Sequence, residues 1–230
     1  MIVLNEDPYL LDNGVLRSLL RDEHGNEIRN GYDLQNREAL FTQIRLAQIL
    51  DIPIEGNFDL AHLQRIHHFL FQDLYAWAGV LRTIDIAKDI TFVPHAELES
   101  QFAPIAIIIH SIRNNSNRTQ LPNQLAQAHI AINRWHGFRE GNGRANRIFI
   151  RQLAGERGLD VRFESMSRTE ITGAHILANA GLDGQMKSLF RRETRDLRTT
   201  AISRLADRRR SSPVIALPSI SHTITTRQAS

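Results

Sequence analysis

The chain reads His-Gly-Phe-Arg-Glu-Gly-Asn-Gly-Arg-Ala-Asn-Arg from His136 to Arg147, and this run lies where two helical patterns meet. Before it, Leu125, Ala128, Ile132 and Trp135 recur at helical spacing, so a helix is expected to deliver His136 at its end. After it, residues 144–154 contain no breaker, so a second helix is expected to start near Asn142 or Gly143. The two must be joined by a tight turn through Gly141 and Gly143. Arg144, Arg147 and Arg151 are spaced to share one helix face. Arginine in a first turn faces the positive end of the helix dipole, which is unfavourable unless an anion sits there. Amides freed by the glycine turn would hold that anion, and the arginines would add charge-assisted contacts suited to phosphate. Beside a polyphosphate, a lone carboxylate such as Glu140 is the expected holder of Mg²⁺. His136 titrates near neutrality and can take a proton from an attacking hydroxyl. Phe138 is expected to pack the loop onto the core.

The run resembles the signature of the Fic family, His-x-Phe-x-(Asp/Glu)-Gly-Asn-Gly-Arg-x-x-Arg, and matches it at His136, Phe138, Glu140, Gly141, Asn142, Gly143, Arg144 and Arg147. Many members carry proline after the histidine. Gly137 stands there instead, which implies a looser loop and bears on how firmly His136 is held. Further segments resemble the family: Asp7-Pro-Tyr, Phe58 to Leu63, Leu70 to Gly79 and Arg82 to Ile86. The resemblance implies a mainly α fold, a helical core with a small β-hairpin flap.

It also implies AMP transfer from ATP to a Tyr, Thr or Ser hydroxyl of a target protein. His136 is then the general base, and Glu140 holds Mg²⁺. Gly141, Asn142 and Gly143 cradle phosphate oxygens, while Arg144 and Arg147 bind the outer phosphates. The flap, Lys88, Asp89, Ile90, Thr91 and Phe92, docks the target by strand pairing, although Asp89 and Ile90 replace glycines common in relatives. Many relatives carry a self-inhibiting helix with Ser/Thr-x-x-x-Glu, whose glutamate pairs with the arginine matching Arg144. No glutamate here has Ser or Thr four residues before it. The implied restraint is a small antitoxin-like protein acting in trans, as in toxin–antitoxin pairs. Two alternatives stand beside this reading. One is a Fic transferase of another phosphate-containing group, which the intact Gly-Asn-Gly-Arg argues against. The other is a catalytically weakened binding module.

Cysteine is absent, so there is no disulfide framework, thiolate catalysis or cysteine zinc site. The longest apolar stretch, around Ala103 to Ile109, is too short to span a membrane, and from its short acidic start no signal peptide is expected. A bacterial cytoplasmic location is expected, with secretion into a host cell as an effector as the variant. From Lys187 to Arg210 there are nine Lys/Arg and three Asp/Glu, a net of 9 − 3 = +6 in a chain of net +3. We read this as a solvated face or delivery signal rather than a nucleic-acid surface. The domain is drawn over residues 1–205, with a basic, polar tail over 206–230.

Along the chain, the patterns predict a short helix at Val15–Leu20 and another over about 35–50, with Leu40, Phe41, Ile44, Ala47 and Leu50 as its buried face. Asp59 is expected to cap a helix carrying His67 and His68, which we read as surface residues rather than a metal site. A hairpin is expected over Arg82 to Phe92, then helices over about 96–113, 122–135, 168–180 and 184–210.

Overall fold

A computed structural model describes residues 7–87 and 92–198. Residues 7–197 form one compact unit, and the domain boundary expected near 205 lies outside the described residues. The architecture is helical: α1 (Gly31–Asp51), α2 (Leu60–Phe71), α3 (Ala103–Asn114), α4 (Leu121–Trp135), α5 (Asn142–Glu156), α6 (Arg168–Asn179) and α7 (Gly184–Glu193). One antiparallel pair joins β1 (Leu159–Val161) to β2 (Thr194–Asp196), with Leu159 opposite Asp196 and Val161 opposite Thr194.

Local chemistry sets most helix starts. Asn30 accepts hydrogen bonds from the Tyr32 and Asp33 amides, and Asp59 accepts from His62. Ser167 and Glu170 form a reciprocal capping box on α6. Pro53 pushes Ile52 into extended backbone, and α1 stops at Asp51.

Helix α5 is the central element, packed against α2 and α4. Ala145, Ile148, Phe149, Ile150, Leu153 and Ala154 are all buried, while Arg144, Arg147 and Arg151 are partly exposed. Phe149 meets Phe58 edge-on, and Trp135 meets Phe102 in the same way.

The structure corrects several expectations. Residues 15–20 are not helical. Isolated bridges Leu10–Leu16 and Arg21–Glu27 close two turns there, braced by Asn13 and Asp22 side chains that accept from nearby amides. On α1 the buried residues are Leu34, Thr42 and Ile49, while Leu40, Ile44, Ala47 and Leu50 are exposed. Two short 3₁₀ turns precede α3 and replace the start of the helix expected from residue 96. α7 ends at Glu193, whose buried carboxylate pairs with Arg162 and Arg192, and the chain then leaves as β2. The observed sheet therefore lies away from the expected hairpin. Within that stretch Ala87 is a bridge residue but no named strand is described, and residues 88–91 of the flap lie outside the described residues.

Candidate active site

His136 ends α4 in the left-handed region, φ 48° and ψ 53°. A residue other than glycine reaches that region at a cost of about 1–2 kcal/mol. Arg82 supports the turn: its Nε donates to the His136 carbonyl at 2.9 Å, and its backbone N–H donates to the Gly137 carbonyl at 2.9 Å. The guanidinium is fully buried and also donates to the carbonyls of Ile84 and Val93, so it ties the ends of the stretch expected as a hairpin to the loop after α4. Phe92 stacks on the His136 ring, with centroids 3.8 Å apart. The His136 Nδ1 lies 2.9 Å from the Asn133 carbonyl, an acceptor, so Nδ1 carries the proton and Nε2 is the basic nitrogen.

Gly137 makes room for a neighbouring ring. A Cβ at that position would run into the Trp135 ring, which is buried and fixed by a 2.7 Å hydrogen bond from Nε1 to the Leu98 carbonyl. Gly141 opens α5 with φ 81°, and a Cβ there would meet the Phe71 ring and His67. Asn142 braces the loop, its side chain bonding both the N–H and the carbonyl of Phe138 at 2.9 and 2.7 Å. Among the described residues, the backbone amides of Asn142 and Gly143 have no hydrogen-bond acceptor. Phe138 is buried against His67 and Trp135, as expected.

The three arginines of α5 part company. Arg151 pairs with Asp160 and Glu164 and belongs to the frame. Arg144 lies over the Phe71 ring, 2.5 Å from Glu38 and 3.7 Å from Glu140. The other Glu38 oxygen accepts from the Tyr75 hydroxyl, which burial first, then the Glu38 charge, keeps protonated. Arg147 reaches back along the helix until its Nη1 stands 3.5 Å from where a Gly143 Cβ would be. It is half-buried, and among the described residues it makes no ion pair or side-chain hydrogen bond. Burial, then the Arg144 charge, holds its pKa below the usual arginine value.

Glu140 is partly exposed beside this helix start, with Oε1 accepting from the Gly141 amide at 2.9 Å. No group of three or more metal-binding side chains occurs among the described residues. The donor set suits a cation that takes one protein carboxylate and completes its shell with phosphate oxygens and water.

Sequence reasoning missed three supports. His67 is buried rather than exposed: its Nδ1 accepts from the Gly79 amide, and its Nε2–H donates to the Glu140 carbonyl, both at 2.9 Å. Burial pushes its pKa down to about 4, so it stays neutral and holds this tautomer. Glu38 and Arg82 are the others. Only the helical period placing His67 inward along α2 was available as a signal.

The described fold, with a histidine at the end of one helix facing the arginine-bearing start of the next, is that of Fic domains. Solved structures agree. The N-terminal Fic domain of a VirB-translocated Bep effector protein from Bartonella quintana has TM-score 0.73 at 24% identity, covering 86% of this chain and 97% of that one. The BepC protein of Bartonella tribocorum, solved with bound AMPPNP, has TM-score 0.70 at 25% identity, covering 82% and 96%. The Fic/DOC family model matches residues 57–154. The chain is 36% identical over 194 residues to protein adenylyltransferase VbhT of Bartonella schoenbuchensis, covering 82% of itself and 39% of that longer protein. It is 30% identical over 166 residues to a Fic protein of Escherichia coli, covering 70% of itself and 79% of that protein. This chain belongs to the Fic/DOC family. No described helix is long and apolar enough to cross a membrane.

Proposed function

We propose that this chain is a protein adenylyltransferase, moving AMP from ATP to a Tyr, Thr or Ser hydroxyl of a target protein. The observation that carries the reading is Arg147: a half-buried guanidinium that has no carboxylate partner among the described residues, beside two amides that have no acceptor among them. That arrangement is stabilised by a bound polyanion and by little else in the described residues.

His136 acts as general base through Nε2, because Nδ1 is committed to the Asn133 carbonyl. The stacked Phe92 ring and the Arg82 bonds to the loop backbone hold the imidazole in place for that transfer. The Asn142 and Gly143 amides and Arg147 bind phosphate oxygens and stabilise the charge that grows on the attacked phosphoryl group. Asn142 contributes through its main chain, since its side chain is engaged with Phe138. Arg144 binds outer phosphates only by sharing its charge with Glu38 and Glu140. Glu140 is the residue that would hold Mg²⁺, which supplies charge neutralisation between phosphates. The target docks on residues 88–92, and a small antitoxin-like protein restrains the enzyme in trans. The likeness to translocated Bartonella effectors supports delivery into a host cell as one setting for this activity.

Incubation of lysate with ATP labelled at the α-phosphate tests the proposal. Label should appear on a protein with the wild-type chain and vanish with His136→Ala. Label from the γ-phosphate alone would replace AMP transfer with another phosphate-group transfer. No label from either, with nucleotide still bound, would leave the binding-module reading.

A further inference from the structure

Helix α1 lies outside the signature, yet it sends a carboxylate onto a signature residue. Arg144, in the first turn of α5, stands between two carboxylates. Its Nη2 is 2.5 Å from Oε1 of Glu38 and 3.7 Å from Oε1 of Glu140, while the Phe71 ring lies 4.6 Å from the centre of the guanidinium. One nitrogen therefore faces both acids, and a small movement of the side chain would exchange them. The two acids are not equivalent. The Glu38 side chain is 15% exposed against 37% for Glu140, so its hold on the cation is less screened as well as closer. Glu38 is itself anchored. It lies one turn from the buried Leu34 and one turn from the buried Thr42, on the inward stripe of α1. Its second oxygen accepts from the Tyr75 hydroxyl, and the Tyr75 ring is 1% exposed and stacked on Trp77, centroids 4.3 Å apart. Glu140, by contrast, meets the Gly141 amide and Arg144 through the same oxygen, Oε1.

We propose that Glu38 is a positioning residue of the nucleotide site: it holds Arg144 off Glu140 and so keeps the Glu140 carboxylate open to a divalent cation. The inference rests on the nucleotide-site reading above. A guanidinium seated on Glu140 would occupy its lone pairs and cancel its charge, and a cation that takes a single protein carboxylate has no other to turn to. Without the Glu38 charge, Glu140 is the carboxylate left in reach of Arg144, and the pair closes. The site then gains one positive charge and loses its cation ligand. These effects act in opposite directions on nucleotide binding. Metal-free nucleotide, a polyanion, is held at least as well by the more positive site, while the gain in affinity that Mg²⁺ supplies shrinks.

The test is calorimetric titration of the full chain with AMPPNP, once with excess EDTA and once with saturating Mg²⁺. The ratio of the two affinities is the factor by which Mg²⁺ tightens binding. In Glu38→Gln this factor should fall about fivefold, with metal-free AMPPNP bound as tightly as by the wild-type chain or more so. A role in folding alone would weaken both titrations together and leave the factor unchanged, which overturns the inference. Adding Glu38→Gln to Arg144→Met should not lower the factor further. An equal fall in both backgrounds shows Glu38 acting by its own charge rather than through Arg144, and also overturns it. Tyr75→Phe frees the same carboxylate and should lower the factor in the same direction. Where Glu38→Gln does not fold, an unchanged factor in Tyr75→Phe overturns the inference. Glu140→Gln tests the site itself. If the wild-type chain does not bind AMPPNP, or Glu140→Gln keeps the wild-type factor, the nucleotide-site reading fails and the inference falls with it. If Glu140→Gln abolishes the factor while Glu38→Gln keeps it, the inference is overturned and the site reading stands.

Discussion

At the scale of single residues, the site works by committing most of its polar atoms before any substrate arrives. His136 spends Nδ1 on Asn133, Asn142 spends its amide on Phe138, and His67 spends both ring nitrogens on Gly79 and Glu140. Among the described residues, what is left over is two main-chain amides and Arg147. Replacing His136 by Ala should therefore lower transfer at least about a hundredfold while leaving AMPPNP affinity within a few-fold, measured by label transfer and calorimetry on the same samples. Removing the hydrogen bonds of His67 should act differently. His67→Phe keeps the ring stack on Phe138 but leaves the Gly79 N–H and Glu140 carbonyl unpaired, so it should destabilise the fold by about 1–3 kcal/mol, read from denaturant midpoints.

At the scale of elements, two helices decide the geometry and each yields a check. The turn between α4 and α5 tolerates no side chain at position 137, because the Trp135 ring occupies that space and cannot move without losing its bond to Leu98. Gly137→Ala should lower stability by about 1–3 kcal/mol despite the high helix propensity of alanine, and a thermal melt would detect it. α1 presents the opposite case. Leu40→Ala, on the exposed face, should change stability by less than about 0.5 kcal/mol. Ile49→Ala, 1% exposed, should cost about 2–5 kcal/mol. Equal costs would contradict the orientation of α1 and, with it, the approach of Glu38 to Arg144.

At the scale of the whole molecule, neutral histidines are built into the interior, and they set a pH dependence. Burial lowers His67 from an ordinary value of 6.5 to about 4 in the folded chain. The unfolded chain binds the proton first as pH falls, so stability is full above 6.5 and is lost between 6.5 and 4. Within that window His67 alone contributes a loss of up to about 1.4 kcal/mol per pH unit. Urea midpoints taken at pH 7.5, 6 and 5 should fall in that order, and the fall from 6 to 5 should shrink in His67→Phe. The helical class, most helix positions and the signature loop were legible in the sequence, since they rest on local terms: apolar spacing, caps at Asn30, Asp59 and Ser167, and glycines at the turn. The inward face of α1 was not legible, because its apolar residues outnumber those that the neighbouring helices can cover. Nor was the end of α7, where pairing with β1 outcompetes continued helix. By itself, the sequence determined the family, the signature histidine and the arginine-bearing helix start, for these are encoded within a dozen neighbouring residues. Only the tertiary structure decided that Arg144 faces Glu38 while Arg147 makes no ion pair among the described residues, and that His67 and Arg82 brace the loop between α4 and α5. The reason is physical: ion pairs and desolvation act across space between helices, and no periodicity along one helix records which distant side chain will lie opposite.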